Sequence, residues 1–304
     1  MKPHKIVALA GLVVLVGLLA FGMYRKNQST QPTNHVSVSA SFYPLYDFAR
    51  NVGGSHVSVT NITPAGAEPH DYEPSAQDLV QAQKSAVFLY NGGTMEPWTD
   101  KFVKDYQHVV VKASSGIALH TATLEGESGV KDPHFWLDPV LAQQIVRNIR
   151  DGLIKADPKH RVDYTKNAAA YIAKLQTLDR AFSTGLQQCQ QHTIITSHEA
   201  FGYVAARYHF TAQSIAGLSP DSEPSAGKMA ELAQLARQQN IHYIFFESLV
   251  SPRLADTIAQ EVGAKTLVFD PLEGLTNEAQ KQGQNYLSVQ QQNLAALRTA
   301  LACH

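Results

Sequence analysis

Two cysteines, Cys189 and Cys303, are all that the 304 residues contain, and no Cys-x-x-Cys is present. A dithiol redox motif and a cysteine-rich zinc finger, whose ligands come in close pairs, are therefore excluded. Net charge is scarce as well. With 25 Lys and Arg against 26 Asp and Glu, and the basic residues scattered, there is no electrostatic footprint for nucleic acid. The chain also lacks a Gly-x-Ser-x-Gly elbow, a phosphate-binding loop and a glycine fingerprint after a strand, so the common short signatures of enzymes are missing. No internal repeat or low-complexity tract stands out.

One long stretch has no charge at all. Ile6 to Met23 is uncharged and follows the basic start Met1-Lys2-Pro3-His4-Lys5. It reads as an export signal or a membrane anchor. The run is long for a signal core, ends at Tyr24-Arg25-Lys26, and offers only the poor cleavage site Ala20-Phe21-Gly22, which favours an uncleaved anchor over residues 1–26. A linker rich in Ser, Thr, Gln and Pro follows over 27–35. Export places the remainder in an oxidising, extracytoplasmic space, where Cys189 and Cys303 either pair or stay as two buried thiols.

From Val36 onward short apolar runs alternate with helical periodicity. Strands are expected at Val36 to Ala40, Val57 to Asn61, Ala86 to Tyr90 and Val109 to Val111, with a helix from Trp98 to Tyr106. A second series is expected at Thr193 to Thr196, Thr211 to Ile215, Tyr243 to Phe246 and Lys265 to Phe269, and one closing helix from about Asn277. Between the two series, Pro158 to Gln188 carries Tyr164, Ala168, Tyr171, Leu175, Leu178, Phe182 and Leu186 at helical spacing, either a strut or an ordinary long surface helix. The fold class is α/β: two α/β domains with mainly parallel sheets, 36–157 and 190–304, joined by a long helix over 158–189.

Four loops collect residues that bind metals. His70 lies in the breaker-rich Thr63-Pro64-Ala65-Gly66-Ala67-Glu68-Pro69-His70, ahead of the helix cap Ser75. His134 lies in Asp132-Pro133-His134-Phe135-Trp136-Leu137-Asp138-Pro139, where Asp138 is a helix N-cap and Pro139 a first helical residue. His198 and Asp270 fall just beyond the first and last strands of the second series. Carboxyl ends of strands are where open α/β sheets bind ligands. Three imidazoles and one carboxylate fill a tetrahedral zinc shell and leave no position for water, which fits carrying an ion better than catalysis with it. Each has a plainer reading, a hydrogen-bonded histidine or, for Asp270-Pro271, a turn or helix cap. Glu199 could serve as a general base, and Glu68 or Glu247 could orient a ligand.

At these loops the sequence resembles the metal-specific solute-binding proteins of ABC importers, the zinc- and manganese-uptake family. Pro-His-Asp-Tyr-Glu-Pro, Asp-Pro-His-Phe-Trp-Leu-Asp-Pro, Ser-His-Glu-Ala-Phe-Gly-Tyr and Asp-Pro-Leu occur in the family's order, and the likeness runs from Val36 to the C-terminus. The resemblance implies an ion held in a cleft by His70 and His134 from the first domain and His198 and Asp270 from the second. Histidine at the third position implies Zn2+, with Mn2+ or iron as the alternative. It further implies a non-enzymatic receptor, a monomer serving an ABC permease. Readings from other classes are a zinc hydrolase using Glu199 and a surface adhesin that retains metal. Three departures stand out: no cysteine follows the apolar N-terminus to carry a lipid, only His120 stands where many zinc-binding members have a histidine-rich loop, and Glu68, just ahead of His70, is an alternative to Asp270 or water as the fourth ligand.

Overall fold

Both runs of alternating strands and helices form parallel sheets. The computed structural model describes residues 35–92, 94–122 and 129–304; the expected anchor over 1–26 lies outside the described residues. The first sheet contains β1 (Val36–Ala40), β2 (Val57–Asn61), β3 (Val87–Tyr90) and β4 (Val109–Lys112), in the order β2-β1-β3-β4. Its helices are α1 (Tyr43–Gly53), α2 (Ala76–Gln83), α3 (Thr99–Phe102) and α4 (Pro139–Ala156). After α5 (Arg161–Gly185) comes the second sheet, with β5 (Thr193–Thr196), α6 (Gly202–Tyr208), β6 (Thr211–Ser214), α7 (Ala226–Gln238), β7 (Tyr243–Phe246), α8 (Arg253–Val262) and β8 (Lys265–Val268). Its order, β6-β5-β7-β8, repeats that of the first, and every pairing in both is parallel. The chain ends with α9 (Asn277–Lys281) and α10 (Tyr286–Ala300).

The start signals lie where the sequence puts them. Ser75 accepts from the Asp78 N–H in a capping box, and Asp138 accepts from the Val140 and Leu141 N–H groups with Pro139 in the first turn of α4. Three helices differ from expectation. The long helix begins at Arg161 after a 3₁₀ turn over Pro158–His160 and ends at Gly185, so its 25 residues span about 37 Å. The segment from Trp98 to Tyr106 keeps only the short α3. The closing helix is two, because Gly283 adopts a left-handed φ of 73° and Asn285 starts α10 with its own capping box.

One apolar core runs through both series, from Val38, Phe42 and Phe48 through Trp136 and Phe182 to Phe201, Phe269, Leu272 and Leu297. Residues 36–304 form one compact unit. The segment 132–138 is bonded to later parts of the chain along most of its length. Tyr203 Oη donates to the Asp132 carbonyl at 2.8 Å, Tyr286 Oη to that of Trp136 at 2.6 Å and Gln290 Nε2 to that of Leu137 at 2.9 Å. Trp136 Nε1 in turn donates to the Pro271 carbonyl at 2.9 Å, and Arg207 pairs with the buried Asp138. A clamshell opening would have to break these bonds together. We therefore expect small-angle scattering to show no compaction on metal binding; a clear fall in the radius of gyration would contradict this.

Of the two cysteine readings, the structure contains the disulfide. Cys189 and Cys303 are bonded, and beside them Gln190 N–H donates to the Ala302 carbonyl at 3.3 Å and His304 N–H to that of Gln188 at 3.0 Å. The bond ties the exit of α5 to the C-terminus.

Candidate metal centre

His70 hangs from the loop between β2 and α2, His134 precedes the 3₁₀ turn that leads into α4, and His198 follows β5 directly. Their side chains meet. His134 Nε2 lies 3.1 Å from His70 Nε2 and 3.3 Å from His198 Nε2. The carboxylate among them is that of Glu273, whose Oε1 is 3.3 Å from His70 Nε2, 3.2 Å from His134 Nε2 and 3.1 Å from His198 Nε2. All four donor atoms lie within 4.8 Å of one another, the one such group among the described residues.

Asp270, expected at the fourth position, is not in that group. Its Oδ1 accepts from the Leu272 N–H at 2.7 Å, the short-range turn that an Asx side chain makes. Its backbone N–H and carbonyl are both held by Asn293, at 2.9 and 2.7 Å. Leu272 then takes a left-handed φ of 58°, which bends the chain so that Glu273, not Asp270, reaches the imidazoles. Burial pushes the Asp270 carboxyl up to about 6.

Outer carboxylates settle the histidine tautomers. Asp132 Oδ1 is 2.8 Å from His134 Nδ1, and Glu247 Oε1 is 2.7 Å from His198 Nδ1. A carboxylate accepts there, so each Nδ1 carries a proton, and Nε2 is the nitrogen that would face an ion once any proton it shares with Glu273 has left. Each carboxylate also accepts the backbone N–H of its histidine, at 2.9 and 3.2 Å, fixing ring and main chain together. Glu247 thus has the orienting role considered from sequence. Glu68 accepts the His70 backbone N–H, at 3.2 Å, and among the described residues no bond to His70 Nδ1 is found.

The pocket is buried and strongly polarised. His134 and His198 are wholly buried, Glu273 is 1 % exposed and the His70 side chain 6 %. Burial alone would lower every imidazole, and it does lower His70. At His198 burial is outweighed by the charges of Glu247 and Glu273, which hold it well above its ordinary value; at His134, hydrogen bonds to Asp132 and Glu273 do the same more weakly. Burial would raise Glu273, but His198 beside it and the bonds from three imidazoles hold it well below the carboxylate range. Burial, and then the neighbouring Glu273 charge, push Glu68 up to about 10, so it stays neutral. Glu199 is half-buried and belongs to neither set.

Two parallel-sheet halves with a buried pocket of three imidazoles and one carboxylate define a metal-binding α/β protein of the solute-receptor type. Residues 38–300 match the family described as zinc-uptake complex component A, periplasmic, and the chain belongs to that family. It is 39% identical over 310 residues to the high-affinity zinc uptake system protein ZnuA of Bacillus subtilis, covering 96% of this chain and 97% of that one. It is 40% identical over 299 residues to the zinc-binding lipoprotein AdcA of Streptococcus pneumoniae, covering 94% of this chain but only 60% of AdcA. Among solved structures, the Zn(II)-bound ZnuA-like domain of S. pneumoniae AdcA aligns with a TM-score of 0.77 at 41% identity, over 88% of this chain and 99% of that domain. The laminin-binding protein Lmb of Streptococcus agalactiae, described as having adhesin and metal-transporting activity, aligns with a TM-score of 0.81 at 32% identity over 88% of this chain and 99% of Lmb.

Proposed function

We propose that this chain is an extracytoplasmic receptor that captures Zn2+ between its two α/β halves and delivers it to an ABC-type permease, with His70, His134, His198 and Glu273 as the ligands. The observation that carries this reading is the spacing of the four donor atoms. A tetrahedral zinc shell with bonds of about 2.0–2.1 Å has ligand-to-ligand edges of about 3.3–3.4 Å. The five short separations in the pocket, 3.1 to 3.3 Å, are close to that figure. Nitrogen-rich donors suit zinc, whereas manganese favours a larger, oxygen-rich shell.

Four protein donors complete the tetrahedron and leave no position for a reactive water, so transport is favoured over hydrolysis. The naming of the relatives as zinc-uptake and zinc-binding proteins points the same way. Attachment to the membrane through residues 1–26, a monomeric state, and lobes of 36–157 and 190–304 about the helix over 158–189 belong to the same proposal. So does release by loss of one or two loop ligands rather than by wide opening. Since the named activity of Lmb includes adhesion, binding to immobilised laminin is the direct check on the adhesin reading.

Zinc ligation requires neutral imidazoles, and His198 is held protonated by Glu247 and Glu273 in the metal-free pocket. Because its proton must leave, zinc affinity is expected to rise with pH by about tenfold per unit for each proton displaced. Chelator competition between pH 6 and 8 measures this. Affinity independent of pH would contradict it.

A further inference from the structure

We infer that Glu96, a buried carboxylate outside the metal pocket, is a positioning residue for His134, acting through Asn91. This rests on the reading of His134 as a zinc ligand. Glu96 is 4 % exposed and lies beyond the carboxyl end of β3. It accepts from Ser41 Oγ just after β1, from the Asn91 N–H at 2.7 Å and from the Gly92 N–H at 3.2 Å. No lysine, arginine or histidine pairs with it among the described residues, and burial pushes its carboxyl up to about 7. The nearby charge of Asp100 raises it further.

Glu96 therefore fixes the backbone at Asn91 and Gly92, where Gly92 takes a left-handed φ of 80° and a Cβ would strike the Lys112 and Ser114 side chains. Asn91, fully buried, sends Nδ2 to the Pro133 carbonyl at 2.8 Å, the peptide group that joins Pro133 to His134. Thr94 Oγ1 donates to the Lys131 carbonyl at 3.3 Å, a second tie between the same two segments. Pocket geometry of a few tenths of an ångström at His134 Nε2 thus depends on a carboxylate two hydrogen bonds away. Asp132 fixes the rotation of the His134 ring; Asn91 and Glu96 fix where its backbone stands.

The test is a double-mutant cycle in the full-length chain, with Glu96→Gln, Asn91→Ala and both together, read by Zn2+ affinity and by the visible absorption of Co2+ in the pocket. Glu96→Gln keeps the volume but turns an amide N–H toward donors. Each single change is expected to weaken zinc about tenfold, the lower end of what losing an outer partner of a metal ligand costs, and to alter the Co2+ spectrum. The double variant is expected to be no weaker than the weaker single. His134→Ala is the reference. If it leaves zinc affinity intact, the ligand reading fails; if it weakens zinc while the cycle is additive, or while Glu96→Gln changes only the melting temperature, the positioning inference is overturned.

Discussion

Glu273→Gln is expected to weaken zinc binding by about a hundred- to a few thousandfold, following the roughly 3–5 kcal/mol lost when one partner of a buried charge pair is removed. The Glu273 carboxylate contacts all three imidazoles and is itself inaccessible to water, so no ion from solvent replaces its charge. Glutamine keeps the shape and one weak oxygen donor but leaves the metal charge uncompensated at that corner. Asp270→Asn is the informative contrast. Asparagine can still accept the Leu272 N–H and hold the turn, so zinc affinity is expected to remain close to that of the parent. Chelator competition on the two variants separates the two acids. Strong loss in Asp270→Asn with little in Glu273→Gln would return the fourth position to Asp270.

The second large effect concerns stability and leaves zinc binding alone. The Cys189–Cys303 bond closes a loop with a sequence separation of 114 residues. In the chain-entropy description a loop of that size limits the unfolded state by up to about 4–5 kcal/mol, and bonds of this kind typically realise about 2–4 kcal/mol. For a chain of this length that is a fall in Tm of roughly 3–6 °C in the Cys189→Ser, Cys303→Ser double variant. Cys189 precedes β5 whereas His198 follows it, so bridge and pocket lie at opposite ends of one strand. Zinc affinity at 25 °C is therefore expected to be unchanged. A thermal melt with a parallel zinc titration measures both. An unchanged Tm would mean that the backbone bonds around Gln190 and His304 already hold this corner.

The architecture was largely legible because the signals were local. β-branched runs bounded by turns marked all eight strands, and Ser75, Asp138 and Pro139 marked helix starts through bonds to their own next turn. The three histidines were legible through their loops, each beyond a strand and before a helix. Glu273 was not. Asp270-Pro271-Leu272 matches the expected loop, and what distinguishes the two acids is a side-chain-capped turn and a left-handed Leu272, neither of which periodicity reports. A signal was available: an Asp two residues before a turn is as good a cap as a ligand, and a second acid lies three residues further along the same loop. Continuity of the core was hidden for a related reason. Tyr286 lies 150 residues from Trp136 and Gln290 153 residues from Leu137, and their bonds exist only once α10 has packed back on the segment carrying His134.

The most direct test is a competition titration of metal-stripped, full-length chain with Zn2+ and Mn2+, with stoichiometry read from bound metal. One Zn2+ per chain is expected, held tightly enough to displace Mn2+ completely and lost together with His70, His134, His198 or Glu273 when any is replaced by alanine. Tighter binding of Mn2+, or zinc binding that survives those four substitutions, would contradict a zinc receptor built on this pocket.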